Sequence, residues 1–286
     1  MARIKRGWVA YGLAAPSFLW LVITVVLPLA MMFYFSFLTK SPFGANEPSL
    51  TLKHYSTYFE RDFYSFLTWR SIKLGFHVTL FCVIIGFPAA LIMARLVKGR
   101  WREAILLLIV LPFWSNTLIR IFAWTMVLRT NGLVDQAIQF ILPGAPSIGF
   151  LYSYPAIVVG LVHSFVPYMI LTCYISLQAI EGSLIEAGRV LGASNFAIFR
   201  RIILPLSAPG LLVGVVLIFV PVVGSFMEPR ILGGRQSIML GTVIEDQFTE
   251  VFNWPLGAAL SFILLAIVLL IFAACYPLLR NRLKLA

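Results

Sequence analysis

A carboxylate stands at the end of a long apolar run in the last quarter of the chain. The run closes with Phe226, Met227 and Glu228, and Arg230 follows two positions later. A charged side chain at the edge of a hydrocarbon layer is costly unless it meets water, a cation or a basic partner. Glu228 is therefore a candidate functional residue. The alternative is that Glu228 pairs with Arg230 at the outer surface.

Other residue types that perform chemistry lack the spacing that catalysis or metal binding requires. Cys82, Cys173 and Cys275 lie in apolar runs, where cysteine behaves as a small buried hydrophobe. His77 and His163 lie in or near such runs, and a packing role is favoured for them over contact with a pore. The sequence contains neither a nucleophile elbow nor a nucleotide-phosphate loop. We therefore expect no catalytic residue, no metal site and no cofactor bound by this chain.

A polar, basic segment, residues 186–205, interrupts two apolar runs. Ser183 and Glu186 have the spacing of a capping box, and Gly192 can end a helix in a left-handed conformation. One helical face carries Leu184, Ala187, Gly188 and Leu191. The pattern predicts a short amphipathic helix that lies against a membrane.

A second helix is expected after this turn. Ser194 can cap it, and it runs into Arg200 and Arg201 before Pro205 and Pro209 mark the start of the next apolar run. A segment of this kind can hold a partner protein at the cytoplasmic face.

The composition requires a membrane protein. Hydrophobic residues make up 60% of the chain and charged residues 12%, with a mean hydropathy of +0.95. The uncharged runs predict six helices, at 13–38, 74–94, 104–119, 136–180 (with the helix from Tyr154), 202–227 and 255–279. Most reach the roughly 20 residues that a bilayer demands, whereas the third falls short unless its end is buried in protein. The first run lacks a small-residue cleavage site and is read as a retained helix.

Basic residues orient these helices, because Lys and Arg near a span resist translocation. With the amino terminus inside, the inner segments hold Arg3, Lys5, Arg6, Arg95, Lys98, Arg100, Arg102, Arg189, Arg200, Arg201, Arg280, Arg282 and Lys284. These are 13 of the 22 basic residues, so topology accounts for the net charge of +11 and nucleic-acid binding is not expected. Both termini and residues 186–205 are then cytoplasmic.

The third apolar run ends in a proline followed by aromatic and amide residues. Pro112 breaks the helix at membrane depth, and Phe113, Trp114 and Asn116 follow. The freed backbone groups need partners or a water-filled cavity, and a permeation pathway provides one. The alternative for Phe113 and Trp114 is an interfacial aromatic belt.

Glu186, Ala187 and Gly192, with Ile202, Leu204 and Pro205 at their spacing, resemble the EAA loop of permease subunits of bacterial ABC importers. Gly188 departs from the family, which more often has a second alanine there. Residues 111–124 are similar to the matching segment of spermidine and putrescine permeases, and that resemblance extends with interruptions over residues 81–277. The subfamily often has acids at the positions matching Ser225 or Arg230, which this chain lacks.

This resemblance implies an all-α, polytopic transmembrane bundle with the type I ABC importer permease fold. Residues 1–71 would form the first helix and outer loop, 72–280 a core of five helices with the coupling loop 181–206, and 281–286 a cytoplasmic tail. The first outer loop, with Pro42, Gly44 and Pro48 and a run of aromatic residues, would contact a binding protein or cap the bundle; the cap is favoured.

The resemblance also implies partners and sites. The partners are a cytoplasmic ABC ATPase dimer that uses Mg-ATP, a second homologous permease, a periplasmic solute-binding protein and membrane lipid. Coupling to the ATPase would fall to Glu186, Ala187, Gly188, Leu191, Gly192, Ile202, Leu204 and Pro205. The substrate pathway would include Phe113, Trp114, Asn116, Tyr168, Phe226 and Glu228.

The expected function is ATP-driven import of a polyamine, or of another organic cation or small solute, through the bacterial inner membrane. The ATPase would move the coupling helix, in which Glu186 braces the loop through its capping bond and Gly192 allows a crowded turn. The competing hypothesis is a stand-alone channel or scaffold whose loop binds anionic lipid through Arg189, Arg200 and Arg201.

Overall fold

The computed structural model describes residues 14–41, 49–144, 146–147 and 149–283, and the regular secondary structure of this part of the chain is helical apart from one bridge between Leu38 and Leu50. The helices are α1 (Ala14–Phe35), α2 (Lys53–Glu60), α3 (Asp62–Arg95), α4 (Arg100–Val110, continued as a 3₁₀ turn over Leu111–Trp114), α5 (Thr117–Leu128), α6 (Leu133–Ile141), α7 (Tyr154–Gln178), α8 (Gly182–Val190), α9 (Asn195–Val223), α10 (Met227–Leu232), a 3₁₀ turn (Arg235–Ser237), α11 (Leu240–Thr249) and α12 (Trp254–Leu283). The expected all-α fold is confirmed.

Among the described residues, five helices are long and apolar enough to cross a membrane, namely α1, α3, α7, α9 and α12. A sixth span arises if Arg100–Trp114 and Thr117–Ile141 are counted together, although they are bent by 97° at their junction. The predicted six-helix bundle agrees with this count. The run at 104–119, which was too short to cross alone, belongs to the bent pair.

Two spans begin earlier than the uncharged runs predicted. α3 begins at Asp62 rather than at residue 74, and α9 begins at Asn195 rather than at 202. A charged residue ends an uncharged run, but it does not interrupt the backbone hydrogen bonds between residues i and i−4. The apolar run therefore measures the part of a helix in hydrocarbon, and the helix continues beyond it.

Contacts divide the described chain into two compact units. The larger contains the described residues of Phe63–Val243 and Ile267–Ala286, and the smaller contains those of Met1–Asp62 and Ile244–Ala266. The core of the larger unit is a cluster of buried apolar side chains from α3, α5, α7, α9 and α10.

Small residues bring the helices of the larger unit into close contact. A Cβ added at Gly210 of α9 would lie 2.4 Å from the Cβ of Ser176 on α7. A Cβ added at Gly86 of α3 would lie 2.8 Å from Cγ of Met169, also on α7. In a membrane, where hydrophobic burial does not drive helices together, close backbone approach of this kind is the main source of packing energy. α7 is thus held between α3 and α9.

In the smaller unit, the chain after α1 folds back onto the end of that helix. The hydroxyls of Ser36 and Tyr55 lie 2.8 Å apart, and Nε2 of His54 lies 3.0 Å from the carbonyl oxygen of Leu38. These contacts are consistent with the cap that the sequence favoured; contact with a binding protein stays a prediction.

Some residues of the sequence analysis lie outside the described part of the chain: Arg3, Lys5, Arg6, Pro42, Gly44, Pro48 and Lys284.

Candidate functional site

The short helix α8 ends in a left-handed turn at Gly192, as predicted. Gly192 has a φ of +77°. Its N–H donates to the carbonyl of Arg189 at 2.9 Å, and the N–H of Ala193 donates to the carbonyl of Gly188 at 3.0 Å. These two bonds are the Schellman pattern, which satisfies carbonyls left over at a helix C-terminus. The turn is not crowded, contrary to the expectation, because a Cβ at Gly192 would meet no atom within 4 Å.

The start of α8 differs from the prediction. The N-cap residue is Glu181, two positions before Ser183, and its side chain makes no capping bond. Ser183 is already inside the helix, and its hydroxyl donates to Oε2 of Glu181 at 3.1 Å. The predicted capping box with Glu186 is therefore wrong, and Glu186 does not brace the loop in that way. A capping box requires its serine at the N-cap, the residue just before helical dihedral angles begin, and here the helix has already begun at Gly182.

One side of α8 faces the beginning of α9 and the other is open. A Cβ added at Gly188 would lie 3.2 Å from Cδ1 of Ile202 and 3.5 Å from Cγ1 of Ile198, so the small residue allows close packing. The predicted face is divided, because Leu184, Ala187 and Leu191 are exposed together with Glu186, and Leu191 is 86% exposed. α8 thus rests on the chain through Gly188 and presents an apolar surface outward.

The short helix that the sequence predicted after this turn is present and forms the first part of α9. Ser194 accepts a hydrogen bond from the N–H of Ala197 at 3.2 Å, which confirms the predicted cap. The helix then widens into a π-helical turn over Phe199–Ile203, in which the N–H of Leu204 donates to the carbonyl of Phe199. Pro205 follows this turn without ending the helix. Pro205 therefore lies inside a continuous α9 and does not mark its start.

The break in the third span lies between two half-helices, and side chains form hydrogen bonds to backbone groups on both sides of it. The hydroxyl of Ser115 donates to the carbonyl of Pro112 at 2.8 Å, and Nη1 of Arg120 approaches the same oxygen at 3.4 Å. The side chain of Asn116 caps α5 by accepting from the N–H of Leu118 at 2.8 Å. The predicted break near Pro112 is confirmed. Arg120, which the sequence did not single out, bridges it.

Two of the predicted pathway residues come together. The ring centroids of Phe113 and Tyr168 lie 4.5 Å apart, and Phe165 adds a third ring at 5.9 Å from Tyr168. Tyr168 is 39% exposed, so part of its face is free for other contacts, whereas Trp114 is 85% exposed. An aromatic site therefore exists between the broken span and α7.

Glu228 is buried rather than at the surface, with 7% of its area exposed. Its Oε2 accepts a hydrogen bond from the hydroxyl of Ser225 at 2.7 Å, while Phe226 is the N-cap residue of α10. α10 packs on α5 and α7, and a Cβ added at Gly160 of α7 would lie 2.5 Å from Cδ1 of Leu232. The carboxylate thus belongs to an element that touches the helices of the aromatic site.

The two intramembrane histidines have partners in the fold. Nδ1 of His77 lies 2.7 Å from the hydroxyl of Tyr154, and the ring of His163 meets Trp124 edge to face at 5.3 Å. Both contacts are consistent with the packing roles that the sequence favoured.

The chain matches one family profile over most of its length. Residues 86–284 match the family described as the binding-protein-dependent transport system inner membrane component. The spermidine/putrescine transport system permease protein PotB of Haemophilus influenzae is 33% identical over 272 residues, which are 94% of each chain. The protein of the same name from Escherichia coli is 32% identical over 269 residues, 93% of this chain and 97% of that one.

Solved structures share the fold. A bacterial ABC transporter involved in the import of the acidic polysaccharide alginate superposes with a TM-score of 0.74, at 19% identity and 97% coverage of both chains. The MetNI methionine ABC transporter superposes with a TM-score of 0.55, at 20% identity, over 75% of this chain and 94% of that one. At these identities the likeness concerns the fold, and the solutes of these two transporters have different chemistry.

Proposed function

This chain belongs to the family of binding-protein-dependent transport system inner membrane components, and we propose that the solute it carries is a polyamine, putrescine or spermidine. It is a multi-pass permease subunit of an ABC importer in the inner membrane, and it is not itself catalytic. The polyamine proposal rests on one observation, the 33% identity to a spermidine/putrescine permease over 94% of both chains.

The chemistry of the candidate site is compatible with this solute. A polyamine is a chain of methylene groups that separates ammonium groups, so it is bound by aromatic faces and carboxylates. The pair of Phe113 and Tyr168 offers aromatic faces, and a cation over such a ring gains about 0.5–2 kcal/mol. Glu228 offers a buried carboxylate, for which a cation is a favourable partner. Trp114, Asn116 and Phe226 complete the proposed pathway.

The coupling residues are part of the same proposal. We infer that α8 docks on a cytoplasmic ABC ATPase dimer that hydrolyses Mg-ATP, because its exposed Leu184 and Leu191 form apolar surface next to Glu186 and Arg189. Apolar surface rimmed by polar residues is typical of protein–protein contacts. A second permease and a periplasmic binding protein would complete the assembly, and both termini of this chain would be cytoplasmic. Its proposed domains are residues 1–71, 72–280 and 281–286.

Motion would pass from α8 to the bundle through its contact with α9. Closure of the ATPase dimer would displace α8, and Gly188 would press on Ile198 and Ile202 at the start of α9. Because α9 is continuous from Asn195 to Val223, this displacement would be passed along the apolar length of α9. Access to the pathway would then alternate between the two faces.

Uptake by the reconstituted complex tests this function. The chain is purified with its ATPase, second permease and binding protein and placed in liposomes with ATP on the ATPase side. Uptake of labelled putrescine and spermidine is compared with that of choline and of a neutral sugar. We expect polyamine uptake that requires both ATP and the binding protein. Uptake of another solute only would contradict the polyamine proposal, and uptake without ATP would favour the channel hypothesis.

Variants of the aromatic site test the pathway itself. Tyr168→Leu removes a cation–π partner worth about 1 kcal/mol, so the half-saturating polyamine concentration should rise about fivefold. Tyr168→Phe keeps the ring and should behave as the native chain. Phe122→Leu is the matched control, since Phe122 is an exposed aromatic residue of α5. An unchanged half-saturating concentration in Tyr168→Leu would exclude Tyr168 from the pathway.

A further inference from the structure

Arg95 ties the end of α3 to the end of α7, immediately before the coupling helix α8. Its Nη2 donates to the carbonyl of Leu177 at 3.4 Å, and both Nη1 and Nη2 approach the carbonyl of Ile180 at 3.5 Å. Leu177 is fully buried and Ile180 is 6% exposed. One guanidinium thus spans carbonyls on both sides of the residue that ends α7, Gln178.

The carbonyl of Leu177 is among the last four of α7, which have no N–H four residues on within the helix, and it also accepts from the N–H of Ile180 at 3.4 Å. The carbonyl of Ile180 lies in the short link between α7 and α8. A cation there also complements the helix dipole, and a charged donor makes a stronger hydrogen bond than a neutral one. Arginine suits the position because its planar fork presents several N–H groups in fixed directions, which a single ammonium does not. The chemistry of Arg95 therefore matches a clamp on this helix end.

Keeping an arginine here is costly. Nε of Arg95 is buried and has no hydrogen-bond acceptor among the described residues. Arg95 as a whole is partly buried, so an apolar side chain of similar length would fill the same space without a buried, unpaired N–H. Filling space therefore does not account for Arg95, whereas holding the two carbonyls does.

The clamp lies next to α8 along the chain. Only Ala179, Ile180 and Glu181 separate the end of α7 from the start of α8 at Gly182. Ile180, which Arg95 holds, is therefore two residues from the first residue of α8. At its other end α8 rests on α9 through Gly188. A displacement of α8 accordingly has two routes into the bundle, one through α9 and one through Ile180.

We propose that Arg95 is a positioning residue for energy coupling, which fixes Ile180 to α3 so that a displacement of α8 moves α3 and α7 together. This inference rests on the proposed function, in which α8 receives the motion of the ATPase. Without the guanidinium, residues 179–181 act as a hinge, and α8 turns about it without moving α3. ATP hydrolysis then continues while less solute is transported.

The test compares Arg95→Met and Arg95→Lys with a matched control. Arg102→Met removes an arginine whose Nε donates at 3.0 Å to the carbonyl of Val97, within the loop that precedes α4. Each complex, with its ATPase and binding protein, is reconstituted in liposomes, and solute uptake and ATP hydrolysis are measured together. Loss of a charge-assisted hydrogen bond shifts the equilibrium between the fixed and the hinged form of residues 179–181 about tenfold. Arg95→Met should therefore move about tenfold fewer solute molecules per ATP. Arg95→Lys should fall between that variant and the native chain, and Arg102→Met should match the native chain.

The outcomes separate this inference from the proposed function. A native ratio of solute to ATP in Arg95→Met, or a fall in uptake and hydrolysis by the same factor, overturns the coupling role. If Arg95→Met does not assemble, Arg95→Lys decides: a reduced ratio supports the role and a native ratio overturns it. If the ATPase fails to co-purify with the unaltered chain, the proposed function of α8 is wrong, and the positioning role falls with it.

Discussion

Substitution of Gly192 isolates a single physical effect, the left-handed turn at the end of α8. Gly192 has a φ of +77°, and its N–H and that of Ala193 close the two bonds of the turn. A Cβ added at this position would meet no atom within 4 Å. A small side chain therefore causes no clash, and its cost is the conformational cost of holding an L-residue in this region.

That cost can be worked out for a series of variants. A residue with a Cβ loses roughly 1–2 kcal/mol in the left-handed conformation, so Gly192→Ala should reduce the population of the turn about fivefold to thirtyfold. Gly192→Asn should lose least, because asparagine adopts this conformation more readily, and Gly192→Val most, because it is β-branched. Gly192→Asp has nearly the shape of the asparagine variant but places a negative charge at the C-terminus of α8, which costs about 0.3–1 kcal/mol more.

The assay is uptake and ATP hydrolysis by the reconstituted complex, with co-purification of the ATPase as a measure of docking. We expect uptake to fall in the order Asn, Ala, Val, and Gly192→Asp to lose more uptake than Gly192→Asn. Native uptake by Gly192→Asp would refute the role of this turn in coupling. Equal activity of Gly192→Val and Gly192→Asn would refute the argument from φ.

Two further predictions concern packing and pH. Gly210→Val should reduce the yield of folded protein in detergent size-exclusion chromatography, because a Cβ at this position would lie 2.4 Å from the Cβ of Ser176. Val213→Leu, at an exposed position of α9, is the control. Equal yields of the two variants would contradict the packing argument. Burial lowers the pKa of His54 below its ordinary value of 6.5. As the pH falls below 6.5, the unfolded segment therefore binds the proton more readily than the folded one, and the segment that contains α2 should lose stability. Hydrogen exchange of the α2 amides between pH 7.5 and 5 measures this loss of protection. If the pH dependence were the same in His54→Gln, the role of His54 would be contradicted.

Features decided by neighbouring residues could be predicted from the sequence. Gly192 ends α8 and Ser194 caps α9 as expected, because both depend on dihedral angles and hydrogen bonds within a few residues. Pro112 interrupts the third span for a similarly local reason, the missing N–H and fixed φ of proline.

The capping box at Ser183 shows where local reasoning failed. The motif is present in the residue types, but the first residue of a helix depends on how the preceding chain arrives. Here Ala179, Ile180 and Glu181 connect the end of α7 to α8, which begins at Gly182. The prediction of crowding at Gly192 was wrong for a similar reason, because the free space around a residue depends on segments distant in the chain.

The sequence by itself determined the class of the molecule, the approximate position of its membrane spans and the end of the short helix at Gly192, since hydropathy, charge and turn chemistry are properties of short segments. Only the tertiary structure decided which of these residues meet. Phe113 lies against Tyr168 across two helices, and Arg95 reaches Ile180 from a position 85 residues earlier. Such pairs form because helix packing brings distant segments together, and no local pattern records them.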